Sequence, residues 1–141
     1  MSPQNAAHFM RIIAIISMLS AILFAAAVVA DPTGLNNLFL HGVSSGSQGL
    51  AGINTAEARV TLAIAGGVFA GFSAMLLLVA VPALHNYDVK MIRAVQMSLM
   101  IWFVVDSSAS IAGGNAANAV ANLLFLTVYM APLMLVKEAK G

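Results

Sequence analysis

Residues Leu62–Val81 read LAIAGGVFAGFSAMLLLVAV, twenty positions without a charged side chain. As a helix this run is about 30 Å long, the thickness of the hydrocarbon core of a bilayer. A helix at a soluble surface keeps one polar face, and this run has none. It therefore reads as a membrane span. Three further apolar runs have comparable length, and the whole chain agrees: 61% of its 141 residues are apolar and 8% are charged. Soluble domains carry about a quarter charged residues. The expected fold is all-α, an integral membrane four-helix transmembrane bundle. It forms a single domain over 1–141, with helices at about 6–30, 55–81, 89–112 and 115–136.

The residues that flank these runs set their limits. Pro82 predicts the end of the Leu62–Val81 span, and Asn54 with Glu57 has the spacing of a capping box at its start. His85-Asn86-Tyr87-Asp88 reads as a short turn in which Asp88 caps the next helix. Gly113-Gly114 predicts a tight turn, which makes the third and fourth helices antiparallel neighbours. Pro132 is expected to bend or loosen the last turns of the fourth. Val28 and Ala30 before Asp31 imitate a signal-cleavage site, but the apolar stretch is long for a signal core and reads as the first span.

Residues 31–54 form a polar, glycine-rich connection. Asp31-Pro32 has the form of a helix start, and Leu35, Leu38 and Phe39 share one helical face. A short interfacial helix is expected there. Ser44 to Gly49, SSGSQG, reads as a flexible linker. With four spans, the N-terminus, the Tyr87 turn and the C-terminus fall on one side. That side holds Arg11, Lys90, Arg93, Lys137 and Lys140, against Arg59 alone on the other. Positive charge accumulates on the cytoplasmic side. Both termini are therefore expected to be cytoplasmic, with the longer loop extracytoplasmic, in a multi-pass membrane protein.

The same composition excludes several function classes. Without cysteine there is no disulfide, thiolate metal site or cysteine nucleophile. A net charge of +1 with no basic tract does not suit nucleic acid. Gly66-Gly67 lies inside an apolar run, where a phosphate loop cannot form. His8, His41 and His85 lie outside the spans, so no helix histidine offers a ligand to haem, chlorophyll or a di-iron centre. No metal site and no intrinsic cofactor are expected. The methionines, with Met91, Met97 and Met100 crowding the third helix, read as adaptable packing.

Two features carry the functional expectation. Ala63, Gly66, Gly67, Ala70, Gly71 and Ala74 recur at three and four residues and form a small-residue stripe with a GxxxG step. Such stripes let helix backbones approach closely in lipid. The stripe packs either against the third or fourth helix or against another protein. The second feature is Asp106, the one acidic residue inside an apolar run, where a carboxylate costs about 2.5–3.5 kcal/mol on insertion scales. Asp106 lies seven residues before Gly113, and Asn122 lies seven after Asn115. Both are thus roughly 10 Å from the shared turn. Ser110 and Asn118 form a second matched layer nearer that turn. Arg59, in line with the stripe, is the expected ion-pair partner of Asp106. Trp102, one turn from Asp106, either caps this cluster or donates its indole N–H into it. The cluster is either a network fixing helix register or a pocket for a lipid headgroup, quinone or pigment. A proton path would need a further ionisable group toward the cytoplasmic side, and the third and fourth helices have none there.

Trp102-Phe103-Val104-Val105-Asp106-Ser107, followed by Gly113-Gly114, Asn118 and Asn122, resembles a pattern of small uncharacterised bacterial inner-membrane proteins of four helices. The Arg59 start of a glycine-rich second helix fits it. The resemblance implies fold and location and carries no activity. The chain is thus expected to be a non-enzymatic accessory subunit. It would pack with membrane lipids and other membrane subunits, in a setting such as respiratory or photosynthetic electron transfer. The alternative is a small binder or carrier of an amphipathic ligand around Asp106.

Overall fold

A computed structural model describes residues 1–44 and 46–137. Ser45 of the linker and Lys140, one of the basic residues used for orientation, lie outside the described residues. Helix α1 (Pro3–Ala26) starts with proline at its first position, and the Ser2 hydroxyl accepts from the Asn5 amide at 3.3 Å. It begins and ends earlier than the apolar run suggests, because Ser2-Pro3 is the stronger start signal.

Helix α2 (Leu35–Val43) follows Gly34, which takes the left-handed conformation at φ 69°. Asp31 is not the N-cap itself. From further upstream its carboxylate accepts the Asn37 amide at 3.0 Å and the Asn36 side chain at 3.0 Å. Asn36 also donates to the Leu23 carbonyl of α1 at 3.2 Å, and the Asn37 side chain accepts from the Leu50 amide at 2.9 Å. The backbone hydrogen bond from Asn37 is the main cause that holds the Asp31 carboxyl below its ordinary value. A 3-10 turn (Gly49–Gly52) follows. At Gly49 (φ 60°) a Cβ would collide with the Asn37 amide group, so this end of the expected flexible linker is pinned.

Helix α3 (Ala56–Met75) is capped by Thr55, whose hydroxyl accepts from the Ala58 amide at 3.2 Å. The expected Asn54–Glu57 box is displaced by one residue. Pro82 does not end this span. One π-turn (Leu76–Ala80) carries the chain into α4 (Val81–His85), and Ala56–His85 forms one continuous span of 30 residues. This places His85, like His8 of α1, at the end region of a spanning helix and not outside the spans as expected. Proline has no N–H to donate, and its ring crowds the carbonyl four residues back. The π-turn widens the helix just before it, with the Val81 amide bonded to the Leu76 carbonyl.

Helix α5 (Val89–Ala112) is capped by Asp88, which accepts from the Met91 amide at 3.0 Å. The turn after it needs Gly114, at φ 81°. Helix α6 (Ala116–Leu135) continues across Pro132. The described residues are helices and connections without strands, and four helices are long and apolar enough to cross a membrane.

Helix α1 lies along α3 and α4, α5 lies along α6, and α1 also meets α6. The core contains Ala6, Ala7, Met10 and Ala14 of α1 against Leu76, Ala80 and Leu84. Alanines on α1 let the backbones come close, where dispersion contacts accumulate. Across the bundle the contacts are aromatic. Phe72 meets Trp102 and Tyr129, each at 5.7 Å between ring centroids, and Phe69 meets Phe125 at 6.3 Å. The Met1 amino group donates to the Leu135 carbonyl at 2.8 Å, and the Lys137 amide donates to Met1 at 3.0 Å. The start of α1 and the end of α6 therefore sit at one end of the bundle. Large apolar side chains point outward: Ile16, Val68 and Leu78 are 59%, 67% and 71% exposed. That outer surface suits lipid.

Candidate functional site: a polar layer between two helices

The tight Gly113-Gly114 turn sets α5 and α6 side by side, and their polar residues meet in the layers that the spacing predicts. The Asn122 side chain donates to the Asp106 carboxylate at 3.0 Å and to the Ser107 hydroxyl at 3.2 Å. Asn118 donates to the Ser110 hydroxyl at 2.8 Å. Asn115 extends the series outward, its side-chain oxygen accepting from Ser44 at 3.2 Å, which ties the end of α2 to the start of α6. Asn122 is buried, while Asp106 is half-buried. In a dry interface an unbonded amide or hydroxyl costs about 1–3 kcal/mol and a carboxylate more, and this layer leaves no buried side-chain polar atom unbonded among the described residues.

Arg59 does not join the layer. It is exposed at the start of α3, and among the described residues no ion pair links it to Asp106. The reason is lateral. Helix α3 turns its close-packing face to α1, so Arg59 stands away from the α5–α6 seam. Trp102 is half-buried and lies against Phe72, with no hydrogen bond from its indole to Asp106.

The small-residue stripe is split by the structure. Only Gly66 makes the close approach: a Cβ there would lie 2.6 Å from the Ala25 Cβ and 2.7 Å from its Cα. The partner is α1, not the third or fourth helix. Ala63, Gly67 and Gly71 are exposed, and a Cβ at either glycine would meet nothing within 4 Å; Ala70 and Ala74 are half-buried. The inward face runs through Leu62, Gly66 and Ser73. At about 100° per residue, Gly67 lies a quarter-turn or more away from it.

Three parts of the polar framework were not anticipated. Ser107 shares the Asn122 amide with Asp106. Asn36 and Asn37 build the loop. Tyr129, 1% exposed at the bundle centre, has its hydroxyl 2.8 Å from that of Ser17 on α1. A tyrosine within an apolar run signals a buried hydroxyl in need of a partner, but the partner lies 112 residues away. Among the described residues, no three His, Asp or Glu side chains converge as a metal-binding set. Asp106 lines neither the surface groove beside Arg11 and Pro82 nor the one over Met100 to Val105. The arrangement can hold helix register, and its chemistry is hydrogen bonding. No known protein family, characterised protein or solved structure matches the chain.

Proposed function

We propose that this protein is a non-catalytic accessory subunit of a larger complex in a bacterial inner membrane, with both termini cytoplasmic. The observation that carries the reading is the open half of the α3 stripe. Val60, Ile64, Gly67, Val68 and Gly71 form an exposed apolar face, and among the described residues no atom of another helix lies within 4 Å of where a side chain would begin at Gly67 or Gly71. A GxxxG step that its own bundle leaves uncovered offers another membrane helix close backbone contact. The internal polar groups, by contrast, are already engaged with one another. The distribution of Arg11, Lys90, Arg93 and Lys137 against Arg59 supports the orientation.

Purification of a tagged copy from its own membrane in mild detergent tests this. Stoichiometric larger subunits are expected to accompany the wild type and to be lost from Gly67→Leu/Gly71→Leu, while the variant keeps its own thermal stability. Electron-transfer complexes are the first candidates to look for. A solitary chain in both preparations would overturn the reading.

A further inference from the structure

The seam between α1 and α4 holds a shallow groove of about 430 Å³, lined by Arg11, Leu77, Leu78, Val81, Pro82, His85 and Asn86. We propose that this groove binds one anionic phospholipid. Its phosphate would be held by Arg11 with His85 and Asn86, and its acyl chains would lie over Leu77, Leu78 and Val81.

The groove is graded along the helix axis. His85 and Asn86 stand at the end of the span, while Leu77 and Leu78 lie about 10 Å deeper at the helical rise. A phospholipid has the same order, a charged head and then apolar tails, in the same direction relative to the bilayer. The π-turn and Pro82 belong to the groove wall, so the local departure from α-helix that Pro82 requires also shapes the site.

The polar end is cationic. Arg11 is exposed on α1, where apolar residues follow it, and among the described residues no acidic residue lines the groove. Asp88, the nearest acid along the chain, is engaged as the cap of α5 through Met91. A guanidinium left at the edge of hydrocarbon is costly, and a phosphate meets it with two parallel hydrogen bonds. His85 Nδ1 lies 3.2 Å from the Asn86 side-chain oxygen. Lys90 and Arg93, at the start of α5, add positive charge at the same end. The apolar half of the groove gives a lipid contacts that a free phosphate cannot make.

The test uses the full chain purified in detergent and stripped of lipid by extended washing. Native mass spectrometry and thermal unfolding are followed with added phosphatidylglycerol, phosphatidylcholine or inorganic phosphate. Phosphatidylglycerol is expected to form a one-to-one adduct and to raise the unfolding temperature, with the other two giving neither. Arg11→Gln should weaken that adduct by about tenfold, the equivalent of about 1.4 kcal/mol, while Arg59→Gln, at the other end of the bundle, should leave it unchanged. Arg11 is exposed, so its loss should not unfold the protein. Leu78→Asp, also at an exposed position, supplies a second variant and should weaken the adduct from the apolar end. Equal binding by wild type and Arg11→Gln would overturn the proposal. So would an equal response to inorganic phosphate, which would mark a free-anion site, or to phosphatidylcholine, which would mark general lipid solvation.

Discussion

Asp106 is tolerated in an apolar helix because Asn122 reaches it from α6 at 3.0 Å. Its removal should therefore act on that pair. Asp106→Asn keeps a hydrogen-bonding side chain and should cost little. Asp106→Leu leaves the Asn122 amide only Ser107 and should cost about 0.6–1.7 kcal/mol, the span from the average to the largest value for hydrogen bonds between membrane helices. Arg59→Leu should add to it independently, since the two residues share no contact. Unfolding of the single and double variants in detergent checks this; marked non-additivity would restore the Arg59–Asp106 pair. Asp31 gives a residue-scale prediction in pH. Its carboxyl titrates below the ordinary value because the folded loop donates hydrogen bonds to it, first from the Asn37 amide. A group with a depressed folded pKa contributes stability above its unfolded pKa and loses it as pH falls through the folded one. The loop should thus hold at neutral pH and loosen below the ordinary carboxylate range. The Asn37 amide resonance should report this, and Asp31→Asn should remove the pH dependence. A pH-independent wild-type signal would contradict it.

At the scale of the element, α3 shows how a repeat of small residues can be read correctly and oriented wrongly. Gly66 and Gly67 are adjacent and chemically identical, yet one faces Ala25 at van der Waals limit and the other faces outward. Gly66→Ala should destabilise the isolated chain by about 1–3 kcal/mol, as overpacking does. Gly67→Ala should fall within about 0.5 kcal/mol of wild type, as surface changes do. Equal costs for both would mean that α3 is rotated about its axis relative to α1. The continuation across Pro82 is a second lesson. Proline predicts a stop because an α-helix cannot supply its geometry, and a single π-turn supplies it instead. No local pattern in Leu76–Ala80 announces that turn.

For the whole molecule, the spacing of apolar runs and the side of the basic residues lead to an arrangement that can be tested without a binding partner. The chain contains no cysteine, so one introduced thiol reports one position. Gln48→Cys, in the long connection, should react with a membrane-impermeant thiol reagent on intact cells. Gln4→Cys, at the start of α1, should react only after the membrane is opened. The reverse pattern would invert the orientation and place the Arg11 groove on the outer leaflet.

The sequence by itself determined four apolar helices, the turns at Asp88 and Gly113-Gly114, and the matched layers Asp106–Asn122 and Ser110–Asn118. Each of these depends on hydropathy, on capping chemistry or on offsets counted from one tight turn. Such signals are local or span a single hairpin. The tertiary structure alone decided that α1 is the partner of Gly66, that Arg59 stands apart from Asp106, that Ser17 meets Tyr129, and that Asn36 faces inward on α2 while Leu38 is 68% exposed. These depend on the rotation of each helix about its own axis. In a membrane protein lipid and protein neighbours are both apolar, so hydropathy marks a span without marking its inner side. Side-chain size and polar pairing fix that side only when the helices meet.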